Sequence, residues 1–305
     1  MPQLSFKVPN EWDGCKLNDF LRQHIKLSGT TIKTAKTIEN GITMDGVHIR
    51  TVDIIRGGAV VKVIVDAAER EYKPCDIPVN LLYCDEDVVV ADKPAGLPCH
   101  PSRGHPYDSL ANALAARPEL EGRVFRPIGR LDKDTSGAVV CALHAHSAYY
   151  LTENRPQKLY LAIISPAPIE NEGIVEAPIA RQSEDSLKRC VTLQGQYALT
   201  RYRILLKGSN CALALCKIET GRTHQIRVHM SHIGSPLIGD KLYGGDCSEI
   251  NRQALHCFAV SFKGNAEGTE KIVLSPMPED MKSYLVNHFG IESVEETLNK
   301  LKPIW

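Results

Sequence analysis

Residues 129–143 read Gly-Arg-Leu-Asp-Lys-Asp-Thr-Ser-Gly-Ala-Val-Val-Cys-Ala-Leu. A polar turn, entered from Pro127, runs straight into an apolar strand over 138–143. The same pattern recurs outward: β-rich runs over 88–91, 159–164, 200–206 and 212–218 are separated by turn clusters more often than by helical stretches. This spacing predicts an α+β fold with a mixed, largely antiparallel sheet and argues against a doubly wound parallel one.

Upstream, Leu17, Phe20, Leu21 and Ile25 fall at helical spacing. After Ser28 a second helical stripe, Ile32, Ala35 and Ile38, is closed by Gly41. A hairpin about Asp45-Gly46 follows, with strands over 42–44 and 47–49 and a further strand over 60–65. Residues 1–66 are therefore expected to form a small α+β unit, 67–80 a polar, proline-containing linker, and 81–305 the main domain. Ser293 and Glu296 fit a capping box, and Val294, Leu298 and Leu301 predict a closing amphipathic helix.

The 36 Lys and Arg of the 305-residue chain balance its 36 Asp and Glu, so nucleic-acid binding would have to come from local patches. At 43% hydrophobic and 24% charged residues the chain matches a folded globular protein, not a disordered or coiled-coil one. The N-terminus lacks a basic stretch followed by an apolar run, and no apolar run is long enough to span a bilayer; a cytoplasmic address without membrane contact is expected. Ten cysteines include no C-x-x-C pair and read as small buried hydrophobes, not as a zinc site or a disulfide frame. The chain has no G-x-S-x-G, P-loop or G-x-G-x-x-G, which removes the commonest serine-hydrolase and nucleotide-cofactor signatures.

Two segments concentrate polar chemistry. In the first, Asp132, Asp134, Ser136 and Gly137 match positions of a calcium loop, but Leu143 stands where the bidentate Glu belongs and Pro127 where the entering helix belongs, so calcium is rejected. Asp132 and Asp134 make a poor glycosidase pair, because residues two apart do not straddle a sugar at the ~5–9 Å required. The plain alternative is a polar turn with a capping Asp. The second segment, 220–234, reads Thr-Gly-Arg-Thr-His-Gln-Ile-Arg-Val-His-Met-Ser-His-Ile-Gly. Ile226, Met230 and Ile233 define a helical face, with Thr223 as N-cap and Gly234 as C-cap. Arg222 then sits at a strand-to-helix corner, where it can reach an anion or orient a carboxylate such as Asp132. His224, His229 and His232 lack the i, i+4 metal pattern and read as core or surface histidines. Residues 91–98, Ala-Asp-Lys-Pro-Ala-Gly-Leu-Pro, form a rigid turn. Lys158-Leu159-Tyr160-Leu161 opens a strand whose aromatic serves either edge packing or a nucleobase platform.

In order, the stretches ADKPAGLPCHPS, GRLDKDTSG, QKLYLAI and TGRTHQIRVHMSHIGSPLIGDKLYGG resemble the RluA family of RNA pseudouridine synthases, over about residues 81–275. The helix-helix-hairpin unit resembles the small alpha-L RNA-binding module that many members carry. In departure from that module, Gly29 follows Ser28 where an Arg is common, so its basic face reduces to Lys26, Lys33, Lys36 and Arg50.

The resemblance implies an isomerase. The bond from ribose to the base nitrogen breaks, uracil rotates, and the same ribose is joined to carbon 5; substrate and product contain the same atoms, so no cofactor or metal is expected. Asp132 corresponds to the family's catalytic carboxylate, which attacks the anomeric carbon, attacks carbon 6 of uracil or deprotonates the ribose. Arg222 is expected as its buried salt-bridge partner, and Tyr160 as the ring that stacks on uracil and assists proton removal at carbon 5. Arg130 would fill the space vacated by a flipped base, and Ile218 would line the uracil pocket or be plain strand core. The implied partner is RNA, ribosomal ahead of transfer RNA, with the chain acting as a monomer. The alternative is a non-catalytic RNA-binding or ribosome-assembly factor, against which the joint presence of Asp132, Tyr160 and Arg222 speaks.

Overall fold

The structure is a computed structural model that describes residues 3–25, 27, 29–64, 72–102, 104–121, 123–264, 268–291 and 296. Within 3–64, strands β1 (Gln3–Lys7), β2 (Ile42–Met44), β3 (Val47–His48) and β4 (Val60–Ile64) form an antiparallel sheet in the order β1-β4-β2-β3. The pattern reading omits β1, whose residues are all exposed or half-buried, so its alternation is weak. Helix α1 starts at Leu17–Asp19 and continues through Phe20–His24 with a wider turn, in which Ile25 N donates to Phe20 O. With α2 (Gly29–Thr37) it places Leu17, Phe20, Leu21, Ile25, Ile32 and Ala35 in a core of their own with Ile42, Val61 and Val63.

Asp45 and Gly46, with φ of 51° and 83°, make the tight hairpin turn read from the sequence. After α2 it is Asn40, φ 53°, and not Gly41 that takes the left-handed conformation; a Cβ at Gly41 would instead strike the Ala35 carbonyl.

From residue 80 onward the strands are β5 (Asn80–Cys84), β6 (Val88–Lys93), β7 (Arg126–Pro127), β8 (Ser136–Ala142), β9 (Gln157–Ile164), β10 (Glu172–Glu176), β11 (Ile179–Arg181), β12 (Arg189–Val191), β13 (Leu199–Lys207), β14 (Ala212–Ile218), β15 (Leu255–Phe262) and β16 (Lys271–Leu274). Ten of them build one sheet, β10-β13-β14-β9-β15-β8-β6-β5, with β16 added to β15 and β7 to β8, while β11 and β12 pair as a separate arm. Among the described residues only β8 with β15 is parallel, so the sheet is mixed and mainly antiparallel as expected. The helices are α3 (Leu110–Ala115), α4 (Ala145–Glu153), α5 (Gln225–His232) and α6 (Glu279–Phe289).

Apolar side chains fill both faces of the sheet. Val90, Val140, Ala162 and Ala214 belong to a core that also takes in α3 residues and Ile226 and Met230 of α5. Leu161, Ile163, Leu213 and Phe258 belong to a second core with Met281 and Leu285 of α6. The parallel contact depends on Gly137: its φ is 115°, and a side chain there would be driven into the backbone of Cys257 on β15. β8 and β15 can therefore lie close together beneath the end of the 129–135 loop.

The closing helix expected from Val294, Leu298 and Leu301 falls outside the described residues, as do Lys26, Ser28 and linker residues 67–71. No helix among the described residues is long and apolar enough to cross a membrane. Of the ten cysteines, all free, Cys99, Cys141, Cys211, Cys216 and Cys257 are buried as read, whereas Cys84 is exposed.

Candidate active site

The 129–135 loop is held by side chains distant in sequence. Lys93, fully buried, directs its ammonium onto three carbonyls, Pro94 O at 2.8 Å, Leu97 O at 2.7 Å and Lys133 O at 2.8 Å. All three of its donors are thereby used. Burial pushes its pKa down to about 8, which leaves it a cation at neutral pH. Leu131 N donates to the thiol of Cys99 at 3.3 Å, and Gly96 N donates to Lys133 O at 3.0 Å. Downstream, Arg252 donates to Asp134 O at 3.2 Å while forming a two-point bridge to Asp280 at 2.6 and 2.8 Å. The rigid turn of 91–98 is thus a bracket for this loop.

What the bracket presents is the carboxylate of Asp132, in a cleft also lined by Arg130, Tyr160, Ile218, Arg222, His224 and Arg227. Arg227, on the first turn of α5, joins two carboxylates. Its Nε and Nη2 donate to Asp240 at 2.6 and 2.8 Å, and its Nη1 donates to Asp132 Oδ2 at 3.2 Å. Asp240 is 1% exposed, and the guanidinium carbon lies 5.0 Å from the centre of the Tyr243 ring. Burial works against the charge on Arg227, but its bonds to Asp240 and the two carboxylates prevail, and its pKa is raised. Asp132, 17% exposed, therefore meets the cleft with one oxygen oriented by a cation that is itself anchored.

Tyr160 enters from β9, where Cys216 of β14 and Cys257 of β15 are its neighbours across the ladder. Burial, with the Cys257 thiol and the Asp132 carboxylate adding, pushes its hydroxyl well above the ordinary tyrosine range, so it stays neutral at pH 7. His224 Nε2 lies 3.9 Å from Asp132 Oδ2, and its Nδ1 shares a 2.9 Å hydrogen bond with the Tyr243 hydroxyl. Burial lowers the pKa of His224, with Asp132 opposing and Arg227 assisting, which favours the neutral ring.

The structure corrects the expected partner of Asp132. Arg222 is exposed and its Nε donates to Tyr197 O at 3.0 Å, so the salt bridge to Asp132 is made by Arg227 instead. The cause is the start of α5. Thr223 is not the N-cap: His224 takes a left-handed φ of 59°, and the Gln225 amide oxygen accepts from Arg222 N at 3.0 Å and Thr220 Oγ1 at 2.7 Å. The chain turns at His224, leaving Arg222 on the rim and Arg227 facing inward. Arg227 sits three residues before Met230, on the apolar side of the helix, and that placement is the sequence signal that could have revealed it. Gly234 does take the left-handed conformation expected of a C-cap, φ 81°.

The cleft brings together Asp132, Tyr160, Ile218, Arg222 and Arg130, the last exposed at its mouth. Asp134 is not among its lining residues, which leaves the glycosidase pair without support. His229 is a core histidine, bonded to Thr200 Oγ1 and Ala177 O at 2.9 Å each, whereas His224 belongs to the cleft. Lys33 and Lys36 are exposed on α2, away from these residues in the chain, while Arg50 is already paired with Asp53 at 2.9 Å.

Comparison with known proteins places these residues in context. A family model described as RNA pseudouridylate synthase matches residues 87–232. The chain is 39% identical over 260 residues to ribosomal large subunit pseudouridine synthase D of Xanthomonas campestris, covering 78% of each protein. It is 36% identical over 304 residues to the protein of the same name from Pseudomonas aeruginosa, covering 92% of this chain and 94% of that one. Among solved structures, human RNA Pseudouridylate Synthase Domain Containing 1 superposes with a TM-score of 0.57 at 26% identity, over 74% of this chain and 95% of that one.

Proposed function

We propose, since this chain belongs to the RluA family of RNA pseudouridine synthases, that it isomerises uridines of large-subunit ribosomal RNA to pseudouridine with Asp132 as the catalytic carboxylate. The observation that carries this reading is the Asp132–Arg227–Asp240 chain beside Tyr160 in one cleft. A carboxylate with one oxygen held by a guanidinium keeps its other oxygen for the substrate, and the 3.2 Å bond sets its direction before the base arrives. The nearby ring of Tyr160 offers a face for uracil, and its neutral hydroxyl adds no negative charge next to Asp132. Arg130 at the mouth is placed to occupy the space left in the RNA when the target base is extruded.

The ribosomal target is supported by the relatives named for the ribosomal large subunit, which match most of both chains. Residues 1–66, with exposed Lys33 and Lys36, act in this reading as an accessory RNA-binding module. The protein works in the cytoplasm as a monomer. The test is tritium release from carbon 5 of labelled uridine, with unmodified ribosomal and transfer RNA transcripts and purified wild type and Asp132→Asn. Release by the wild type from ribosomal RNA, abolished in Asp132→Asn with RNA binding retained, is the expected result. Equal release by Asp132→Asn would overturn the role of Asp132, and release from transfer RNA alone would overturn the target.

A further inference from the structure

The arm formed by β11 and β12 carries a pairing that proteins usually avoid. Arg181 and Arg189 are directly opposite each other in this two-stranded ladder, and like charges in that relation repel. Neither makes an ion pair among the described residues; the Arg181 guanidinium donates to the Glu184 carbonyl at 3.0 Å. The two arginines line a groove together with Gly221, Arg222 and Thr223, and those last three also line the cleft that holds Asp132. Groove and cleft are thus continuous, with Arg222 common to both. The arm is tied to the cleft as well: Arg189 N donates to the Tyr243 hydroxyl at 2.9 Å, and the same hydroxyl bonds His224. Gly195 permits the tight base of the arm, because a side chain there would meet the backbone of Ile179.

We infer that Arg181, Arg189 and Arg222 form a phosphate-binding subsite that grips the RNA backbone beside the uridine held at Asp132. An anion between the two facing guanidiniums converts their repulsion into two charge-assisted contacts, and phosphate suits their planar fork. Arg222, whose Nε is engaged by Tyr197 O, keeps its terminal nitrogens for the same strand at the point where it enters the cleft. The role of Arg222 is then binding, distinct from the orientation of Asp132 by Arg227.

This inference rests on the synthase reading for the identity of the strand, and its test separates the two. Binding of a fluorescently labelled single-stranded RNA of ribosomal sequence would be followed by anisotropy across a salt series, with turnover on the matching transcript measured in parallel. Arg181→Gln/Arg189→Gln is expected to raise Kd and KM several-fold and to flatten the slope of log Kd against log salt by about 1.4, from roughly 0.7 per lost contact on single strands. Arg181→Lys/Arg189→Lys is expected to keep most of the slope, since charge drives ion release. Arg201→Gln is the control: its strand position opposite Lys217 puts it on the sheet face away from Tyr160, and its slope is expected to match wild type. An unchanged slope in the Gln double variant overturns the subsite, whatever the turnover. A flattened slope with no turnover by wild type upholds the subsite and overturns the synthase reading instead.

Discussion

Arg227 offers the sharpest separation of stability from chemistry, because one guanidinium serves a buried carboxylate and a cleft carboxylate at once. Arg227→Met leaves Asp240, 1% exposed, without its cation. Removing one partner of a buried pair costs about 3–5 kcal/mol, roughly a hundred- to several-thousand-fold in the folding equilibrium. Arg227→Met/Asp240→Leu removes both charges and fills the space with apolar atoms, an exchange that is often neutral or stabilising, so most of the lost stability is expected to return. Turnover is expected to behave differently. Both variants deprive Asp132 of the 3.2 Å bond that orients it, and a misplacement of ~1 Å is enough to lose about 10²-fold. Urea unfolding followed by circular dichroism, beside single-turnover tritium release, would show a double variant that is stable and inactive. Recovery of turnover together with stability would refute the orienting role. A loss below about 1 kcal/mol in Arg227→Met would refute the assignment of Arg227 to a buried pair.

Two further predictions follow from groups buried around the cleft. Lys93→Met removes the ammonium donor from the carbonyls of Pro94, Leu97 and Lys133; Lys133 O keeps Gly96 N and Pro94 is exposed to water, so the buried Leu97 carbonyl sets an expected loss of about 1–3 kcal/mol. Because Lys133 adjoins Asp132, kcat should fall more than KM; a destabilised variant with unchanged kcat would reduce Lys93 to a purely structural role. His256 is buried between Ser136 Oγ at 3.0 Å and Ser275 O at 3.2 Å, and burial brings its pKa down to about 4. The unfolded chain takes up this proton near 6.5 while the folded one resists it until about 4, so its contribution is complete above the unfolded value and is lost as pH falls between the two. The loss reaches roughly 3 kcal/mol by pH 4. Urea titrations of wild type and His256→Gln at neutral pH and near pH 4.5 measure it, and equal acid sensitivity in the two would refute the assignment.

Periodicity and turn chemistry are local properties, and they were legible without a structure. Leu17, Phe20, Leu21, Ile25, Ile32 and Ala35 occupy the core that their helical spacing predicts, and Asp45-Gly46 makes the hairpin it announces. The strand runs and their turn clusters predicted a mixed sheet because side-chain alternation and glycine-rich turns act over a few residues. Motif order likewise singled out Asp132, Tyr160 and Ile218, all three of which reach one cleft.

Only the tertiary structure chose between Arg222 and Arg227. They stand five residues apart in the same motif, and which one reaches Asp132 depends on where α5 begins, a choice made by the bonds of Gln225 and the turn at His224. The part played by Lys93 was hidden for a related reason: a lysine in a proline-rich turn resembles a solvated one until Lys133, 40 residues away, closes over it. Asp240 and Cys99 also gain their roles through partners far along the chain. Sequence patterning determines which residues are buried and which elements form, because those follow from local geometry and hydrophobicity. The pairing of charges across the cleft is set by packing, which brings together groups whose separation in sequence carries no trace of their contact.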